Sequence, residues 1–295
     1  MSKIAYASLL VRQQFQNFVQ QHIRPPQIEI VQTELLAESR MDVAYLALIL
    51  SSCTIATLGL LSNSVAVIIG AMIIAPLMLP IRGLAFAALE GNVTLFRKAL
   101  ISITVGTVLS LGISWFFGHI TGIPTFGSEV LSRAKPNLLD LGIAVAAGGI
   151  SGYAKIQPKI SGSLVGTAIA VALMPPICVV GLGLSHGNWV LSWGAALLYF
   201  TNLLGITLSC MIIFLIAGYA ASPRAKTALI WGAALTLLLL IPLSLSFIQL
   251  VRQADLEMSV KRALLTGMIT FQQVTLVQVQ TNWLANPAQV NLTVR

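Results

Sequence analysis

The sequence predicts an all-α polytopic membrane protein of about seven transmembrane helices, six of them arranged as a 3+3 inverted repeat. Short amphipathic N-terminal helices and a small C-terminal β-containing segment flank the bundle. Three observations carry this reading: the composition, the spacing of long apolar segments, and self-similarity at a shift of about 96 residues. Of 295 residues, 57% are hydrophobic and 9% charged, with a mean hydropathy of +0.89. Soluble domains run near about 25% charged, so this composition excludes that class. The formal charge of +8 is scattered between apolar spans. That is a topology pattern rather than a polyanion site, and no nucleic-acid partner is expected. The partner the composition implies is the lipid bilayer.

Residues 1–41 read as an amphipathic helical region. Residues 5–22 mix Leu, Val and Phe with Gln, Arg24-Pro25-Pro26 ends that helix, and a second short helix runs over about 28–40. Its Glu34, Glu38 and Arg40 are expected on a solvated face. No continuous apolar core of a signal peptide is found in residues 1–40. The spans follow at about 42–60, 64–89, 98–118, 138–154, 160–184, 190–219 and 227–250. They group as repeat 1 (42–118), a connecting loop (119–137), repeat 2 (138–219) and a seventh helix (220–250). Span four is short and rich in glycine, which suits close helix packing in lipid. Residues 251–295 turn polar: a charged helix is expected over 251–268 and alternating strands over 271–280 and 288–294. Two strands alone are marginal, so they need support from elsewhere in the chain or from another subunit. Cys53, Cys178 and Cys210 fall within spans, without metal or disulfide spacing, and read as small packing residues.

Loop charges set the orientation. Lys3, Arg12, Arg24, Arg40, Arg97, Lys98, Lys155, Lys159, Arg224 and Lys226 fall on one side, while Arg133 and Lys135 occupy the short loops of the other. The expectation is a multi-pass inner (plasma) membrane protein with its N-terminus cytoplasmic and its C-terminus outside.

Gly70–Ser102 aligns with Gly166–Leu198 without a gap. Shared Leu and Ala mean little here. Leu77-Met78-x-Pro80-Ile81 against Leu173-Met174-x-Pro176-Ile177, and Gly91-Asn92 against Gly187-Asn188, are harder to obtain from composition. Each unit holds three spans, so the second enters the membrane upside down. Pro76 and Pro80 in one unit, and Pro175 and Pro176 in the other, interrupt apolar segments near mid-bilayer. Interrupted helices in corresponding halves are the sequence pointer to a transporter-type site.

The same residues carry a resemblance. Asn63–Ile81 (NSVAVIIGAMIIAPLMLPI), Gly166–Pro176 (GTAIAVALMPP) and Thr201–Ile206 (TNLLGI) resemble an uncharacterised hydrophobic-domain membrane family of bacteria, catalogued as domain of unknown function 389. The likeness covers about residues 42–220 and rests chiefly on the IGAMxxAPLMxPI segment. It implies a multi-spanning bacterial membrane protein and no particular substrate.

The leading expectation is transport of a small polar or ionic solute. Its pathway would be lined by Asn63, Ser64, Pro76, Pro80, Arg82, Pro175, Pro176, Thr201 and Asn202. Freed carbonyls suit a cation, and a free helix N-terminus suits an anion. Arg82 either snorkels to the headgroups, faces the pathway or pairs with an acid. Asp42 and Asp140 begin corresponding spans, as helix caps or as coupling groups; Glu90 and His186 precede corresponding Gly-Asn pairs, as solvated turns or as gates. An ion channel is one alternative. A non-transporting scaffold or sensor acting through its C-terminal segment is another, and a homo-oligomer is expected. With three histidines and no phosphate loop or acid pair within a span, no catalytic residue, metal site or cofactor is expected.

Overall fold

A computed structural model describes residues 28–122, 125–157, 173–219, 227–244, 248, 276–282 and 289–294. The chain divides into two units, Met1–Ile241 and Pro242–Arg295. In the first, the helices are α1 (Ile28–Glu38), α2 (Val43–Leu61), α3 (Val65–Ile74), α4 (Met78–Glu90) and α5 (Val93–Thr121). Then come α6 (Ser128–Ser132), α7 (Leu138–Ile156), α8 (Met174–Ser185) and α9 (Trp189–Ile216); α10 (Thr227–Ser244) begins in the first unit and ends past its boundary. Helices α2, α5, α9 and α10 are each long and apolar enough to cross a membrane; α3 and α4 together form a fifth crossing if the bent pair is one span. The protein is therefore a helical membrane protein.

The predicted span 64–89 is two helices bent by 50°. Pro76 lacks the N–H that would continue α3, and Ala75 ends α3 in extended backbone (φ −63°, ψ 121°). Of the carbonyls left at the end of α3, that of Ala71 accepts from Ser52 Oγ on α2 at 2.8 Å. Buried backbone needs such a partner where water is absent. Span three starts earlier than expected, at Val93 rather than 98, because Asn92 caps it. The loop 119–137 is not wholly irregular: it contains α6, too short to leave a periodic signal.

Two hairpin turns share one build. Gly91 (φ 71°) ends α4 and Gly187 (φ 65°) follows α8, both in the left-handed region that glycine enters at no steric cost. Asn92 then caps α5 by accepting from Leu95 N at 3.0 Å, and Asn188 caps α9 by accepting from Leu191 N at 3.1 Å.

Directions follow from contacts along α5. A Cβ on Gly106 would lie 3.1 Å from Leu77 Cδ2, and one on Gly83 would lie 3.4 Å from Leu95 Cδ1, so α4 runs antiparallel to α5. Helix α8 runs the other way, with Met174 Sδ 3.5 Å from Ser110 Oγ and Ser185 against Gly118. The N-termini of α4 and α8 thus lie about one turn apart along α5 and point away from each other. Around them Cys53, Thr57, Ser110, Met174 and Cys178 are fully buried. Helices α2 and α7 also oppose: the C-terminal end of α2 meets α6 through Asn63, whereas Lys155 at the C-terminal end of α7 meets α1. One end of the bundle carries α1 and most of the described Lys and Arg (Arg40, Arg82, Arg97, Lys98 and Lys155); the other carries α6.

In the second unit, β1 (Leu276–Asn282) pairs antiparallel with β2 (Gln289–Val294), from Leu276 opposite Val294 to Asn282 opposite Gln289, with an irregularity between Leu276 and Gln278. The helices expected over 5–22 and 251–268, and the first part of the fifth span with Gly166, lie outside the described residues.

Candidate functional site

A cavity of about 350 Å³ opens beside α6 and penetrates to the N-terminus of α8. Glu129, Arg133, Asn137, Asp140, Pro176 and Asn202 supply its polar and structural lining. Each is held for a local reason. Asn137 caps α7 by accepting from Leu139 N (2.8 Å) and Asp140 N (3.3 Å), and Asp140 Oδ2 accepts in return from Asn137 N at 2.8 Å. This reciprocal box satisfies helix-end donors and orients the carboxylate. Arg133 donates from Nη1 to Glu129 Oε2 at 2.8 Å, one turn along. Asn63, the one described non-glycine residue at positive φ (53°), accepts from Glu129 N at 2.9 Å and so fixes α6.

Asn202 lies in the middle of α9, 4% exposed, and comes into the cavity beside Pro176. At 1.5 Å per residue it is roughly 20 Å from the start of α9, two thirds of the way through a ~30 Å hydrocarbon core. Helix α8 begins there with Pro175 and Pro176 in its first turn. Proline carries no N–H, so two of the donors a buried helix start would leave unpaired are absent. The positive end of the helix dipole remains, at the level where Pro176 lines the cavity.

The other predicted residues fall into three groups. Pro76 and Pro80 are buried at the α3–α4 break, Thr201 is buried beside Asn202, and none of them lines this cavity. Asn63 is exposed at the end of α2 rather than buried in the bundle, and Ser64 begins α3 without a side-chain cap bond. Asp42 caps α2, accepting from Tyr45 N at 2.7 Å, and lies at the opposite end of the bundle from Asp140. Glu90 and His186 both sit in the hairpin turns; His186 Nδ1 is 2.9 Å from Ser185 Oγ, and its ring packs edge-on against Phe126. Glu90 Oε1 and His186 Nε2 are buried with no hydrogen-bond partner among the described residues.

Arg82 does not line this cavity and pairs with an acid. Its Nη2 lies 3.1 Å from Glu38 Oε2, and Glu38 Oε1 accepts from Lys155 Nζ at 2.8 Å. Glu34 Oε2 takes the same ammonium at 2.6 Å. The expected solvated face of α1 is thus a latch holding α4 to α7, with the Lys155 side chain 8% exposed. Glu34 and Arg40 stay exposed, and Glu38 is half-buried. Sequence reasoning missed Glu129, Arg133 and Asn137 as lining residues. The scarcity of charge in the 119–137 loop was the available signal, since a lone Glu-x-x-x-Arg there is an i,i+4 pair on a helix.

Comparison with known proteins now adds a family. Residues 72–208 match the family described as "Domain of unknown function (DUF389)". This stretch, just under half of the chain, is similar to that family. The DUF389 segment contains the α3–α4 break, α5, the cavity and most of α9. An uncharacterized protein of Methanocaldococcus jannaschii, MJ0678, is 33% identical over 178 residues, covering 60% of this chain. The matched region spans 54%, about half, of that relative's length. No solved structure matches the chain.

Proposed function

We propose that the chain carries a small polar or ionic solute across the membrane, through the cavity beside α6 and past the back-to-back N-termini of α4 and α8. The observation that supports this is the pair of short helices starting about one turn apart along α5 and leaving in opposite directions, with a polar cavity reaching one of them. Interrupted helices whose ends meet near the midplane are the means by which transporters build polar sites in lipid. In this reading the bundle is an inverted duplication of seven spans, with α2–α5 set against α7–α9. The basic end, with Arg40, Arg82, Arg97, Lys98 and Lys155, is cytoplasmic and the cavity opens outside.

The packed centre between Cys53, Ser110, Met174 and Cys178 favours a carrier that alternates over an open channel, because the path is closed there. The latch of Glu34, Glu38, Lys155 and Arg82 closes the cytoplasmic side. The solute meets Asn202, Asp140 and the start of α8; no catalytic step is proposed.

The test is solute flux into proteoliposomes across a panel of ions and small metabolites. Flux that falls at least ten-fold in Asn202→Ala and Asp140→Asn, with folding intact, is the expected result. Absence of flux for the whole panel, with those variants altering only assembly, would leave a scaffold or sensor and end the transport reading.

A further inference from the structure

A second cavity, of about 660 Å³, lies at the basic end between the C-terminus of α1 and the first turns of α5. Its polar lining is Ser39, Arg40, Lys98 and Ser102, and its apolar lining includes Met41 and Ile101. No acidic residue lines it, and neither Arg40 nor Lys98 forms an ion pair among the described residues. Every acid on α1 but Glu29 is already engaged with Lys155 or Arg82. Two exposed cations therefore face one cavity without a counter-charge.

The floor is fixed. Ser102 Oγ donates to Ser39 O at 2.8 Å, and Tyr45 OH donates to Ser102 O at 2.7 Å, tying α1, α2 and α5 together at one level. A Cβ on Gly83 would collide with Ser39, so α4 also presses on this point. The cavity is thus bounded by the end of α1, the short turn that joins it to α2, and α5, with the turn pinned at Ser39. Its depth is also informative. Helix α5 has 29 residues, about 42 Å, against a hydrocarbon core of about 30 Å. Its first turns, with Lys98, stand at headgroup level. Just beyond them Met41 (42% exposed) and Ile101 (43% exposed) turn an apolar rim outward to lipid.

We propose that this cavity binds the phosphate of an anionic phospholipid, with Arg40 and Lys98 on the headgroup and the acyl chain leaving over Met41 and Ile101. Charge alone would suit any phosphate. The apolar rim is what selects the lipid, and a basic pocket between helices at headgroup depth has the chemistry for it. The inference does not rest on transport.

The test uses the full-length chain, purified in mild detergent and examined by native mass spectrometry for retained phosphatidylglycerol, phosphatidylcholine and inorganic phosphate. Wild-type protein is expected to retain phosphatidylglycerol over phosphatidylcholine, with a loss of about five-fold for each of Arg40→Gln and Lys98→Gln. The charge-preserving pair Arg40→Lys and Lys98→Arg should restore most of the preference, which separates lost binding from lost folding. Arg97→Gln, a neighbouring exposed cation that does not line the cavity, should leave it unchanged. Equal retention of the two lipids, an equal loss in Arg97→Gln, or displacement of the lipid by millimolar inorganic phosphate would each overturn the proposal.

Discussion

Glu38 holds two cations from helices far apart in the chain, Arg82 on α4 and Lys155 on α7. Replacing it with Gln leaves both with less compensation, and the Lys155 side chain is 8% exposed. Breaking a buried pair costs roughly 3–5 kcal/mol. Glu38 keeps 25% exposure and Glu34 still holds Lys155, so the expected loss is about 1–3 kcal/mol after solvent screening. A fall in thermal stability of Glu38→Gln in detergent checks it, and no change would show the latch to be incidental. The asparagine caps are a smaller test. Asn92→Ala and Asn188→Ala should each lower stability by about 1 kcal/mol, and Asn→Gly by only a few tenths. In the sequence these asparagines stand out only as matched Gly-Asn pairs, and the expected start of span three is about 98, although a cap is decided within four residues. The latch is not legible there: Lys155 and Glu38 are 117 positions apart, and their side chains look like ordinary solvated charges until α1 folds back on the bundle.

At the scale of the element, the α5–α8 contact depends on small residues. A Cβ on Gly181 would meet Ser114 Oγ and lie 2.7 Å from Leu111 O, leaving no room for a side chain. Gly181→Leu should separate the helices and abolish the monodisperse peak in gel filtration, whereas Gly112→Leu, where nothing lies within 4 Å, should be tolerated. The prolines at the start of α8 make the converse prediction. Pro175→Ala and Pro176→Ala restore N–H donors in a buried first turn, and each unpaired donor costs roughly 1–3 kcal/mol. Thermal unfolding should show these prolines to be stabilising, opposite to the effect of proline inside an ordinary helix. That helices break at the prolines could be read from sequence, since proline acts on its own turn. The 50° bend could not, because the groups on either side of it, the Ala71 carbonyl and Leu77, meet Ser52 on α2 and Gly106 on α5, partners distant in sequence. The cavity was half readable: Asp140, Pro176 and Asn202 stood out as polar or helix-breaking groups in apolar spans. Their neighbours Glu129 and Arg133 sit on a five-residue helix that leaves no pattern.

For the whole molecule, Cys53 and Cys178 bring α2 and α8 together with their sulfurs 3.5 Å apart. An added oxidant that takes two electrons and two protons from the pair would join them as a disulfide. If the centre must open for passage, oxidation should reduce flux to background, a reductant should restore it, and Cys53→Ala should be insensitive. Unchanged flux in fully cross-linked protein would mean that this contact does not move. The interleaving around that centre has a further consequence, for synthesis. Helix α4 packs on α9, whose first residue, Trp189, emerges about a hundred residues after α4 ends. At about 5–20 residues per second the ribosome takes on the order of 5–20 s to deliver it. Through that interval the proline-interrupted segment waits in the membrane without α9, and for much of it Glu38 waits without Lys155. Early spans must therefore be sheltered or held loosely until the second half arrives, and the bundle is completed only after most of the chain has been inserted.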